Sequence, residues 1–145
     1  MGDYITQSDV MTRLLSLTAL DVATGTLDGA SFIPASEAAF LVDSGVTYAS
    51  LTANQQTLAK AAMISFCAAL VVASAPTEKI EGVNGAITPI SAVDKERMNN
   101  LLIKEYQRYK ALVTGTSWIN STHTKNYNRH RYHSHKSGTS GWGIR

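Results

Sequence analysis

No Asp or Glu follows Glu105, and no His precedes His123. The first absence leaves a C-terminal stretch with positive charge only. The second leaves the rest of the chain without an imidazole, and so without the usual base of a nucleophile triad. Cysteine occurs once, as Cys67, which excludes an intrachain disulfide and any zinc site built from several thiolates. Long hydrophobic runs are also missing. The most apolar stretch, Ala61 to Ala75, covers about 15 residues and is broken by Ser65 and Ser74, short of the roughly 20 that a membrane span needs. The N-terminal Met1-Gly2-Asp3-Tyr4-Ile5 has no basic region leading into an apolar run, so no signal peptide is expected. A soluble chain made inside the cell is the expectation.

What is present suits one domain plus an appendage. Apolar residues make up 44% and charged residues 17%, a balance that can support a packed core. The formal net charge of +2 hides a division. Residues 1–105 hold six Lys and Arg against eleven Asp and Glu, a balance of −5, whereas residues 106–145 hold seven Lys and Arg and no acid. A basic terminus of this kind seeks an acidic surface or a nucleic acid.

Helix signals run through the first 114 residues. Thr6 with Asp9 forms a capping pair, Ile5 and Val10 are spaced as a hydrophobic staple, and Val10, Met11, Leu14 and Leu15 make an apolar stripe. This predicts a helix over about 7–16. Thr24-Gly25 and Asp28-Gly29 read as turns. Pro34 and Ser36 lead into a second helix, about 36–44, which Gly45 ends. Thr52 with Gln55 caps a third that runs to Ala75 before Pro76. Between Leu58 and Ala73 this third helix is apolar on nearly every side apart from Lys60 and Ser65, as a buried helix is. Asn84-Gly85, set within 79–89 between β-prone residues, predicts a short hairpin. Ser91 with Asp94 caps a fourth helix, about 92–113. Met98, Leu101, Leu102, Tyr106, Tyr109, Leu112 and Val113 line one of its sides, and Lys95, Glu96, Lys104 and Arg108 the other. Gly115 ends it. The expected fold is therefore mainly α: a small helical bundle around a long buried central helix (residues 1–114), with a short β-hairpin and an extended basic C-terminal arm (115–145).

Motifs for catalysis are weak. The carboxylate pair Glu78/Glu81 stands beside the hairpin, and Asp94/Glu96 is explained by favourable charge at a helix N-terminus. Cys67 reads as a small buried residue. The run Arg129-His130-Arg131-Tyr132-His133-Ser134-His135-Lys136 offers imidazoles, but its cations repel a divalent metal and no carboxylate or thiolate balances it. Gly138, Gly141 and Gly143 lack the strand and helix that a phosphate loop needs. Asn120-Ser121-Thr122 matches a glycosylation pattern by chance. No enzyme, cofactor or metal is expected.

The arm carries the informative chemistry. Trp118, Tyr127, Tyr132 and Trp142 are interleaved with Lys125, Arg129, Arg131, Lys136 and Arg145. Fixing a free segment costs about 1–2 kcal/mol per residue, and exposed ion pairs return only about 0.2–1 kcal/mol each. A buried Trp removes roughly 150–250 Å² from water, or about 4–6 kcal/mol before losses. Trp118, Trp142 and Ile144 are thus the expected anchors on a partner, and Lys125, Tyr127, Arg129, Arg131, Tyr132 and Lys136 the groups that set direction and register. A nucleic acid is the other candidate partner, since cations interleaved with aromatics suit single strands or a phosphate backbone.

Tyr4-Ile5-Thr6 followed by Asp9-Val10 and Arg13-Leu14, the alanine-rich Ala59-Lys60-Ala61-Ala62-Met63, and the late helix from Glu96-Arg97-Met98 to Tyr106-Gln107-Arg108-Tyr109 together resemble the head–tail connector (adaptor) proteins of tailed bacteriophages. The likeness spans about residues 3–113. The stretch 17–35 and the His-rich arm depart from the family's usual pattern. The resemblance implies a structural subunit of the virion neck, assembled in the host cytoplasm and repeated as a homo-oligomeric ring, commonly a dodecamer. Such a ring docks on the portal protein, extends the channel through which DNA passes, and offers a platform to the next neck or tail protein, with no membrane involved. It also implies that the C-terminal segment reaches toward the portal.

Overall fold

The computed structural model describes residues 2–18, 20–77 and 85–115. Those residues form four α-helices: α1 (Gln7–Leu15), α2 (Ile33–Ser44), α3 (Ala53–Ser74) and α4 (Ala92–Thr114). The chain divides into a unit Met1–Gly115 and a second, Thr116–Arg145, that lies outside the described residues.

Local chemistry sets the helix ends. Thr6 and Asp9 close a capping box on α1, and Thr52 and Gln55 close another on α3. Each satisfies two backbone donors that a helix start leaves unpaired. Ser91 accepts the Asp94 amide at the start of α4. Gly45 and Gly115 end α2 and α4 at φ 68° and 72°, a left-handed turn that costs glycine nothing. α2 begins three residues earlier than expected, at Ile33, because Pro34 sits in its first turn, where a missing N–H is harmless.

α3 is the centre of the packing. Ala59, Ala62, Met63, Ser65, Cys67, Ala68, Ala69, Val71 and Val72 are buried along it, covered by α4, α2 and α1. By length and composition alone α3 would also suit a membrane span, but its apolar sides are those its neighbours cover. The small alanine side chains let those neighbours approach closely. Leu14 and Val10 of α1, Phe40 and Ile33 of α2, and Met98, Leu102 and Tyr106 of α4 complete the core.

Two expectations for α4 are corrected. Leu101 and Leu112, expected on the covered side of α4, are 43% and 54% exposed. At 100° per residue the seven apolar positions spread over too wide an arc for one contact, and α3 covers the part centred on Met98, Leu102 and Tyr106. Lys95, expected outside, is half-buried and donates from Nζ to the Ala75 carbonyl at 2.8 Å. Much of the hairpin predicted over 79–89 (79–84) lies outside the described residues. The described part bonds elsewhere. Val22 and Ile87 form an isolated antiparallel bridge, with the Ala23 amide donating to Ala86 O at 2.7 Å and the Thr88 amide to Asp21 O at 2.9 Å. Val22 and Ile87 are both buried, so burial accompanies the pairing with this distant segment.

The N-terminal segment is held by one side chain. The Glu37 carboxylate, in a residue only 6% exposed, accepts the amides of Asp3 (2.9 Å), Tyr4 (2.7 Å) and Ile5 (2.8 Å). Gly2 passes so close that a Cβ there would meet Glu37 and Ile33. A hydrogen bond to a charged group contributes about 1.5–3 kcal/mol. Glu37→Gln keeps the shape but gives up charge and one acceptor. We expect it to lower unfolding stability by about 2 kcal/mol in denaturant titration, with faster amide exchange at Asp3–Ile5. Unchanged exchange there would show that the carboxylate does not hold the segment.

Candidate interaction surfaces

The nine residues expected to bind a partner (Trp118, Lys125, Tyr127, Arg129, Arg131, Tyr132, Lys136, Trp142 and Ile144) all lie outside the described residues, as do the four histidines. The surfaces that can be built from geometry therefore belong to the helical unit.

Two ionic ties join distant helices. Arg13 on α1 grips Glu105 on α4 through two nitrogens, Nε donating to Oε2 at 3.2 Å and Nη2 to Oε1. Ser65, buried on α3, donates to the same Glu105 Oε2 at 3.2 Å, so one carboxylate links three helices. On the other side, Asp43 at the end of α2 accepts from Tyr106 Oη at 2.8 Å and from Lys110 Nζ at 2.7 Å. The Lys110 ammonium, and then the Tyr106 hydroxyl, hold the Asp43 carboxyl below its usual range. Burial, and next the hydrogen bond to Asp43, push the Tyr106 phenol above its usual range. Phe40 and Phe66 pack against the Tyr106 ring. Sequence periodicity marked Tyr106 as core, but it could not reveal that its hydroxyl meets a residue 63 positions earlier.

Groups for chemistry on small molecules were sought among the described residues. Among the described residues no group of three His, Cys, Asp or Glu is placed to hold a metal ion. Cys67 is fully buried, and burial raises its thiol pKa to about 11, which leaves almost no thiolate near neutrality. A cavity of about 320 Å³ lies between the N-terminal segment and α2, lined by Gly2, Asp3, Tyr4, Pro34, Glu37, Ala38 and Leu41. Of the two acids in its wall, Asp3 and Glu37, Glu37 has both oxygens taken by backbone amides. Comparison with protein-family models, with curated proteins and with solved structures found no match.

Charge is the more informative property of the surface. Among residues 1–59 the only Lys or Arg is Arg13, set against six Asp and Glu. On α4, by contrast, Lys104 and Arg108 are exposed and make no ion pair among the described residues. The helical unit is thus acidic in its N-terminal half and cationic on part of its last helix.

Two outcomes follow from the titrating groups. A depressed Asp43 pKa stabilises the fold above the ordinary carboxylate value of 3.8, and that contribution is lost as pH falls through the lower folded value. A raised Tyr106 pKa stabilises it below the ordinary phenol value of 10.0, and that contribution is lost as pH rises toward the higher folded value. Thermal melts of the wild type and Tyr106→Phe should differ by about 1 kcal/mol near neutrality and converge above pH 10. A constant difference to pH 11 would show that the folded state does not raise the Tyr106 pKa. Cys67 should resist a thiol reagent at pH 8 in the native protein and react within minutes in denaturant. Rapid native labelling would contradict its burial.

Proposed function

We propose that this chain is a non-enzymatic structural subunit of a tailed-bacteriophage neck. In that role it forms a ring, commonly of twelve copies, docks on the portal, extends the DNA channel and presents a platform to the next neck or tail protein. The finer fold belongs to the same proposal: a hairpin over 79–89 and an extended arm over 115–145 that reaches toward the portal. Assembly takes place in the host cytoplasm, and the finished site is the virion neck.

The observation that carries it is the division of charge on a small helical body. An acidic N-terminal half, a cationic last helix and a C-terminal stretch with five Lys and Arg and no acid give one chain two surfaces of opposite sign. Unlike surfaces on one subunit are what a head-to-tail ring requires, and repeated weak arms give strong collective attachment. The capped, mainly helical architecture agrees with the resemblance over residues 3–113. A nucleic-acid-binding protein is the second reading, favoured by the interleaved cations and aromatics of 118–145, although the acidic body works against wrapping DNA.

Full-length protein bearing Trp118→Ala and Trp142→Ala should lose co-purification with the cognate portal ring while keeping the wild-type melting profile. Undiminished docking would remove the arm from the proposal. The second reading expects the full-length chain to bind free DNA at 50 mM salt, with affinity falling about 10- to 1,000-fold by 200 mM. No binding at low salt would remove it.

A further inference from the structure

The cavity of about 320 Å³ between the N-terminal segment and α2 has a chemically one-sided lining. Asp3 and Glu37 bring two carboxylates, and Tyr4, Pro34, Ala38 and Leu41 bring aromatic and aliphatic surface. No Lys, Arg or His lines it among the described residues. Asp3 and Ala38 are exposed, so the cavity opens to solvent. Its volume stands at the lower end of the range for ligand pockets, with room for one long side chain.

The lining groups are held in different ways. Glu37 has both oxygens engaged by the amides of Asp3, Tyr4 and Ile5, so it offers a guest a fixed negative charge rather than a direct bond. The Asp3 carboxylate, by contrast, has no hydrogen-bond or ion-pair partner among the described residues. Tyr4 is set in place by stacking on Tyr48, with ring centroids 4.1 Å apart at 27°. The segment carrying Asp3 and Tyr4 can adjust to a guest without unravelling α1, because Thr6 and Asp9 cap that helix by themselves.

This lining selects its guest by elimination. Two carboxylates without a cation repel an anion. One free carboxylate is too few for calcium or magnesium, which take about six oxygens. A neutral apolar guest would desolvate Asp3 without return. What fits is an organic cation on an aliphatic stem, and a guanidinium fits better than an ammonium. It is more weakly hydrated, matches a carboxylate with its planar fork and stacks on aromatic faces. We propose that the cavity receives an arginine side chain presented by a segment of a partner protein, its guanidinium on Asp3 and its stem along Pro34, Ala38 and Leu41. One ion pair open to solvent is weak, so the contact serves an arginine whose flanking residues add contacts of their own. The proposal goes beyond the neck reading and does not rest on it, since every group belongs to the helical unit.

The test titrates full-length protein with N-acetyl-arginine-N-methylamide and follows the amides of Asp3, Tyr4 and Ile5 by NMR. Saturable shifts with a millimolar dissociation constant are expected. The citrulline analogue, of the same shape without the charge, should bind about tenfold more weakly. Asp3→Asn should weaken binding of the arginine compound by a similar factor. Ala38→Leu, which fills the cavity from an exposed helix position, should abolish it, and Asp21→Asn should leave it unchanged, each with a wild-type melting profile. Absence of saturable shifts, equal binding of the citrulline analogue, or undiminished binding by Asp3→Asn or Ala38→Leu would overturn the pocket. Tighter binding of propylguanidine than of the capped arginine would overturn the protein source and assign the pocket to a free guanidine.

Discussion

A helix that is apolar on nearly every side has to be covered on nearly every side, and α3 imposes that requirement on the rest of the molecule. From Ala59 to Val72 it offers little to water besides Lys60. α1, α2 and α4 each bring apolar residues to it. Alanines at 59, 62, 68 and 69 bring the covering helices close, which raises packing density around side chains that are individually small. The order of the other elements follows from sharing out the sides of this one helix.

Apolar contact alone leaves the covering helices free to rotate and slide, and the polar ties remove that freedom. Glu105 meets Arg13 and Ser65, which fixes α1 and α4 against a defined turn of α3. Asp43, Tyr106 and Lys110 fix the end of α2 to α4. Glu37 gathers three consecutive amides of the N-terminal segment. No buried side-chain polar atom among the described residues lacks a partner, as a well-specified core requires. These ties also use up charges: Arg13, Glu105, Asp43 and Lys110 are paired within the unit, and the charges that remain are spread unevenly along the sequence.

That residue of charge is where the functional proposals begin. Enzymes concentrate titratable groups in a cleft with perturbed pKa values. Among the described residues the perturbed groups, Asp43, Cys67 and Tyr106, are a surface tie, a buried thiol and a core phenol. The proposed assembly role rests on the division of charge along the sequence between residues 1–105 and the C-terminal stretch.

Interactions spanning three or four residues were legible without a structure. Thr6 with Asp9, Thr52 with Gln55, Ser91 with Asp94 and the terminal glycines Gly45 and Gly115 act on backbone groups within one turn, so their spacing is enough. The burial of α3 was legible too, because a helix apolar all round has no exposed side to choose. Everything that depended on distant residues was not. Glu37 reads as an ordinary helical acid until the amides more than 30 positions earlier arrive. Val22 and Ile87 lie in segments with no mutual signal. Leu101 and Leu112 belong to an apolar arc wider than any single contact. Composition and local spacing determined which helices form and which one lies at the centre. Only packing, which lets one part of each helix reach a neighbour and leaves the rest in water, decided which carboxylates became ties and which leucines stayed outside.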